Sequence, residues 1–360
     1  MEPMNVHPIL KEKGGKVVGN IKIFKPGMLT LVQDSGRQGY QQYGVPVSGV
    51  MDSFSHRVAN ILVGNHETES VLEATLLGPG IEFLDETVIA ITGGDLAPNI
   101  NGAAVPLGQS ITVKAGEKLD FKGIKTGCRC YIAFAGGINV PEIMGSKSTY
   151  NRGSIGGYEG RALKAGDILN LGEPLKPLSS LEGRTIQQDL YTYTNKIELR
   201  VVAGPQEEAF SPEGIETFYS FEYAVTNECD RMGYRLSGDV IKHKEGGDII
   251  SDGIAMGAIQ VPGHGMPIIM MADRQTTGGY TKIANVISAD LPKMGQAKPG
   301  DKITFKKVTI EEAQRIYKDM EDKIAEYKKT FEEQELYKKK LFQFKMGGKL
   351  YGLILEEIKE

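Results

Sequence analysis

Four arginines sit beside glycine turns with an aspartate close by, and a guanidinium in that setting is a fork that can hold a carboxylate or phosphate at two points. They are Arg37 in QDSGRQGY (33–40), Arg152 in STYNRGSIGGYEGR (148–161), Arg231 in DRMGY (230–234) and Arg274 in ADRQTTGGY (272–280). A further glycine segment, GVPVSGVMD (44–52), leads to Asp52. Glycine turns of this kind also aim backbone N–H groups at an anion. Taken singly, any of these arginines could instead satisfy loop carbonyls or pair with Asp34, Asp52, Asp230 or Asp273. Taken together, four such clusters exceed what strand connections require, and they point to an anionic ligand held between two parts of the chain.

Several other chemistries are excluded. The chain has no G-x-x-x-x-G-K-[ST], no H-E-x-x-H, no G-x-S-x-G and no acid-rich calcium loop, and MGSKST at 144–149 lacks the phosphate-loop spacing. His7, His56, His66, His243 and His264 are not paired at metal-ligand spacing. Cys128, Cys130 and Cys229 cannot complete a zinc site and read as reduced thiols in a cytoplasmic protein. Lys+Arg 42 against Asp+Glu 46 gives a net charge of -4 with the signs mixed, so no basic field exists to attract nucleic acid. The N-terminus lacks the apolar run of a signal peptide, and no stretch approaches the ~20 apolar residues that cross a bilayer.

The elements that must position these residues follow from glycine and hydrophobic period. With Gly 45 and Trp 0 in 360 residues, the chain reads as mainly β, with short strands joined by tight turns. Residues 1–20 read as a loose leader, 21–172 as a first β half, 173–195 as a polar linker, 196–308 as a second β half and 309–360 as a C-terminal extension. One helix is expected from Asp52 to about Val63, with Asp52 as its N-cap and Phe54, Val58, Ile61 and Leu62 on one face. In the extension, Thr309 and Glu312 form a capping box. Ala313, Tyr317, Met320, Ile324, Tyr327 and Phe331 then follow at alternating steps of 4 and 3, a narrow seam expected to mediate self-association or partner capture. FQFKMGGKLYGLILEEI reads as a β-hairpin appended to that helix.

The segments PGMLTLVQDSGRQGYQQYGVPVSGVMD, ANILVGN, LEATLLGPGIEF and SDGIAMGAIQVPGHGMPIIMMADRQTTGGY, in that order, resemble allophanate hydrolase subunit 2 proteins over roughly residues 21–308. That family includes the C-type subunits of 5-oxoprolinase, KipA-type antagonists of a kinase inhibitor, and the carboxyltransferase region of urea carboxylase. The resemblance implies two cyclophilin-like β-barrel halves with a cleft between them. The chain has no biotin carboxylase portion and no MKM-type lysine sequence, which fits a free-standing subunit.

As the C-type subunit of a 5-oxoprolinase, the chain is expected to work with a B-type (KipI-like) and an A-type partner. ATP and Mg2+ would activate the lactam of 5-oxoproline, and hydrolysis would yield glutamate. In that reading Arg37, Arg152, Arg231 and Arg274 bind phosphates or the substrate carboxylate. Asp52 and Asp273 hold magnesium, and Asp52, Arg152, Asp273 and Arg274 form the catalytic set. Tyr40, Gln260, Gln275 and Thr276 hydrogen-bond the ring amide, with Asn151, Thr277 and Gly279 beside them. The alternatives implied by the same resemblance are biotin-dependent carboxyl transfer to a urea or amide nitrogen, and a non-enzymatic KipA-type antagonist.

Overall fold

A computed structural model describes residues 19–186, 193–346 and 349–358, with the backbone alone for 333–346 and 349–358. The expected leader falls almost wholly outside the described residues.

The first half carries β1 (Gly19–Lys25), β2 (Leu29–Gln33), β3 (Val71–Thr75), β4 (Gly80–Phe83), β5 (Thr87–Asp95) and β6 (Pro98–Ile100). They are followed by β7 (Ala103–Ala104), β8 (Ser110–Val113), β9 (Lys118–Phe121), β10 (Thr126–Phe134) and β11 (Ile168–Leu171). They form two sheets, ordered β11-β1-β4-β9-β6-β7 and β2-β3-β10-β5-β8. Apolar side chains at alternate positions, such as Ile21, Ile23, Leu72 and Ala74, fill the core between the sheets. Against the second sheet packs α1 (Ser53–Leu62), whose N-cap Asp52 accepts from the Ser55 N–H at 2.9 Å, as the sequence predicts.

The second half carries β12 (Lys196–Ala203), β13 (Tyr223–Cys229), β14 (Gly233–Ser237), β15 (Asp248–Gly253), β16 (Ala258–Val261), β17 (Ile268–Met270), β18 (Thr277–Val286) and β19 (Lys302–Lys307). They run β12-β19-β13-β14-β17-β16-β18-β15, and β12 also pairs with β18, which closes a ring with β15 outside it. Closure leaves no free edge within the ring. One ring wall is covered by α2 (Pro212–Ser220), whose Phe218 stacks on Phe305 with centroids 4.4 Å apart.

The halves meet at α3 (Leu291–Gly295). A side chain at Gly295 would lie 2.5 Å from the Met51 carbonyl oxygen, so only glycine lets the two backbones touch there. Met51, from the first half, is buried in the core of the second.

After β19 comes α4 (Ile310–Leu336), opened by the expected capping box: Thr309 N–H donates to Glu312 Oε2 at 2.9 Å and Glu312 N–H to Thr309 Oγ1 at 3.1 Å. The expectation that its seam serves assembly is corrected by the packing. Ile324, Tyr327 and Phe331 are buried against α1 residues of the same chain, with Met320 alongside. Arg57 on α1 grips Glu321 through both guanidinium Nη atoms. An apolar stripe needs cover, and here the first half supplies it. The expected hairpin is present as β20 (Tyr337–Met346) and β21 (Lys349–Ile358), in register from Tyr337↔Ile358 to Met346↔Lys349.

Candidate functional site

A cleft of 670 Å³ lies where the 3-10 turn Asn151–Gly153 of the first half approaches the second half. Its walls include Arg152, Asp230, Gln260, Gln275 and Tyr280, with the thiol residue Cys229 half-buried among them. Arg152 reaches across from the first half to Asp230 at 3.1 Å, and both side chains are more than half exposed. Such a pair contributes little to stability, about 0–1 kcal/mol, and can exchange one partner for a ligand. Gln260, by contrast, is 2% exposed, and its Nε2 has no hydrogen-bond partner. A buried amide left unpaired costs roughly 1–3 kcal/mol and marks a position that a ligand can satisfy.

Arg274, next to Gln275, is 6% exposed, donates Nε to the Ile254 carbonyl at 2.9 Å and Nη1 to that of Met271 at 3.2 Å, and bonds no carboxylate. Burial alone lowers its pKa to about 10. It therefore secures the backbone of residues 254 and 271 and keeps an uncompensated positive charge behind the cleft.

The sequence expectations divide at this point. Arg152, Gln260 and Gln275 line the cleft, and Thr276, Thr277 and Gly279 follow on the same segment without lining it. Asn151 is exposed beside Arg152, and Tyr40 is half-buried at the start of the turn Gln41–Tyr43. The other predicted residues serve the joint between the halves. Arg231 donates Nε and Nη2 to the two oxygens of Asp273, both at 3.0 Å, Nη1 to Glu73, and Nη2 also to the Gly49 carbonyl. Burial works against its charge, and the Asp273 and Glu73 carboxylates outweigh that and hold it above the usual guanidinium range. Arg231 as a ligand-binding arginine is thus corrected to an internal ion pair, because its bonding positions are filled by the protein.

Asp52 is corrected in the same way. It is fully buried and takes Ser55 Oγ at 2.7 Å and Gln296 Nε2 at 2.8 Å besides its cap bond. Burial raises its pKa, while hydrogen bonds from Gln296, Ser55 and Tyr193 oppose the rise. Among the described residues no group of three or more His, Cys, Asp or Glu side chains could hold a metal ion. Asp52 and Asp273 do not fit the magnesium assignment, since each carboxylate already faces protein donors. Arg37 is wholly buried, with Nε on the Ile143 carbonyl at 3.0 Å and Nη2 on that of Ser148 at 2.9 Å, and its Nη1 is unpartnered.

Sequence reasoning missed the rest of this joint. Glu73 also accepts from Met51 N–H at 2.8 Å and Tyr131 OH at 2.9 Å. Arg129 donates Nη1 to Tyr234 OH and to the Gly295 carbonyl, both at 2.6 Å. The Gln296 amide accepts from Cys128 N–H at 3.0 Å and Arg129 N–H at 2.9 Å. The signal for Glu73 is a single acid inside the apolar run VLEAT, which forms a strand buried at every position.

A family model described as "Carboxyltransferase domain, subdomain A and B" matches residues 43–307. The C-type subunit of the 5-oxoprolinase of Escherichia coli (strain K12) is 38% identical over 301 residues, 84% of this chain and 95% of that protein. The urea amidolyase of Saccharomyces cerevisiae is 39% identical over 313 residues, 82% of this chain and 17% of that protein. The crystal structure of Kluyveromyces lactis urea carboxylase superposes with a TM-score of 0.78 at 34% identity, covering 89% of this chain and 30% of that one.

Proposed function

We propose a role from the fact that this chain belongs to the carboxyltransferase domain family, subdomains A and B: it acts as the C-type subunit of an ATP-dependent 5-oxoprolinase. The observation that carries this reading is coverage. The chain matches the E. coli 5-oxoprolinase protein almost end to end but only a small part of the urea amidolyase, which is what a separate subunit would do.

The chemical problem is that a lactam carbonyl is a poor electrophile. The cleft offers amide groups on Gln260 and Gln275 that suit a ring amide, and exposed arginines whose carboxylate partners a phosphate can displace. Arg152 and Arg235, the latter 3.0 Å from Glu228, are the cations that would face ATP at a surface shared with a B-type subunit. When bound, ATP supplies the phosphoryl group that turns the lactam oxygen into a leaving group. This chain's own residues orient the ring and neutralise charge. No step is assigned to magnesium at Asp52 or Asp273. An A-type subunit completes ring opening.

The test is reconstitution. Mixing this chain with a B-type subunit should give ATP hydrolysis that 5-oxoproline stimulates, and adding an A-type subunit should give glutamate. Hydrolysis indifferent to 5-oxoproline would sink the reading. The likeness to urea amidolyase and urea carboxylase supports a second one, carboxyl transfer from a biotinylated partner. Under it, avidin abolishes the reconstituted activity and free biotin supports carboxyl exchange, whereas the oxoprolinase needs neither.

A further inference from the structure

Gly278, on β18, is buried, and its φ lies outside the left-handed region that would by itself require glycine. Its reason is space. A Cβ built there would meet Ile254 Cδ1 at 2.6 Å, Gln260 Nε2 at 2.8 Å and Gln275 Nε2 at 3.0 Å. Two side-chain amides on different elements, both lining the same cleft, therefore converge on one point that only a missing side chain leaves open. A glycine inside a strand at such a point marks a close approach by another group. The Gln260 nitrogen is buried there without a partner, while Arg274 fixes the Ile254 backbone that forms the third side.

We propose that Gly278 is a specificity-determining residue: it keeps the Gln260 and Gln275 amides together as a paired recognition element for a planar amide, lactam or ureido, of a small-molecule ligand. Each glutamine amide offers one acceptor and two donors, so the pair can match both the carbonyl and the N–H edge of such a group. A carboxylate, which only accepts, leaves the glutamine acceptors unmatched. The proposal rests on the oxoprolinase reading only for the ligand's identity, because both a lactam and a ureido ring present this edge.

The test is calorimetric binding of 5-oxoproline and, separately, of biotin as the ureido probe, to the full-length chain alone and mixed with a B-type subunit. Gly278→Ala should weaken the bound probe about tenfold or more, as losing well-placed hydrogen bonds does. Gly253→Ala, at a position with nothing within 4 Å, should leave binding unchanged. Gln260→Met keeps the side-chain bulk and removes the amide, so it should weaken binding to a similar degree even if Gly278→Ala fails to fold. Binding of biotin but not 5-oxoproline, sensitive to both substitutions, would support the recognition element while removing the oxoprolinase reading. Wild-type affinity in Gln260→Met, or no binding of either probe by the wild-type chain with its partner, would overturn the proposal.

Discussion

At the scale of single residues, the same side-chain types do opposite work according to burial. Arg152 and Asp230 are exposed and exchangeable, whereas Arg231, Glu73 and Asp273 are buried within one ion-paired group. Arg231→Met strands two buried carboxylates and should cost roughly 3–5 kcal/mol, while Arg152→Met should cost under about 1 kcal/mol, both read from urea denaturation midpoints. Equal costs would contradict this division. Asp52 gives a pH-dependent counterpart. Its carboxyl is raised by burial, so the folded chain holds that proton more tightly than the unfolded one, whose value is about 3.9. Its contribution is therefore fully present below about pH 4 and is lost as pH rises through the folded value. Asp52→Asn should flatten that decline in stability above pH 4 while keeping an acceptor for the Ser55 N–H. Asp52→Ala should cost roughly 1 kcal/mol or more through loss of the cap. A decline as steep in Asp52→Asn as in wild type would refute the assignment. The sequence could show that these arginines and aspartates belong together. It could not show which pairs lie inside, because an Asp-Arg dipeptide reads the same at 230–231 as at 273–274.

At the scale of elements, local signals were the legible ones. The Asp52 cap with its apolar face gave α1, and the Thr309–Glu312 box gave the start of α4, since both are set within a single turn. What the α4 seam touches was not legible, because a stripe of Ile324, Tyr327 and Phe331 states only that cover is needed. The covering surface belongs to α1, more than 250 residues earlier, as the Arg57–Glu321 separation of 264 positions shows. Cutting the chain after Lys307 should therefore leave its mass in light scattering unchanged and lower its melting temperature, since three buried side chains are stripped away at roughly 2 kcal/mol each. A fall in mass at constant stability would return α4 to an assembly role. Phe331→Ala alone should cost about 3 kcal/mol.

At the scale of the whole molecule, the mainly β character was legible from glycine content and strand-length apolar runs, and the joint between the halves was not. That joint consists of contacts between residues far apart in sequence, Glu73 with Arg231 and Asp52 with Gln296, which no local pattern records. It predicts that the two halves melt in one transition, with calorimetric and van't Hoff enthalpies equal. Glu73→Gln, which weakens the link without emptying either core, should split or broaden that transition. The joint also orders events during synthesis. Glu73 leaves the ribosome 158 residues before Arg231, and Asp52 leaves 244 residues before Gln296. At about 5–20 residues per second, the first half waits on the order of tens of seconds with its acids and Arg129 unmatched. In a growing chain, that interval is when a nascent-chain chaperone has most to cover.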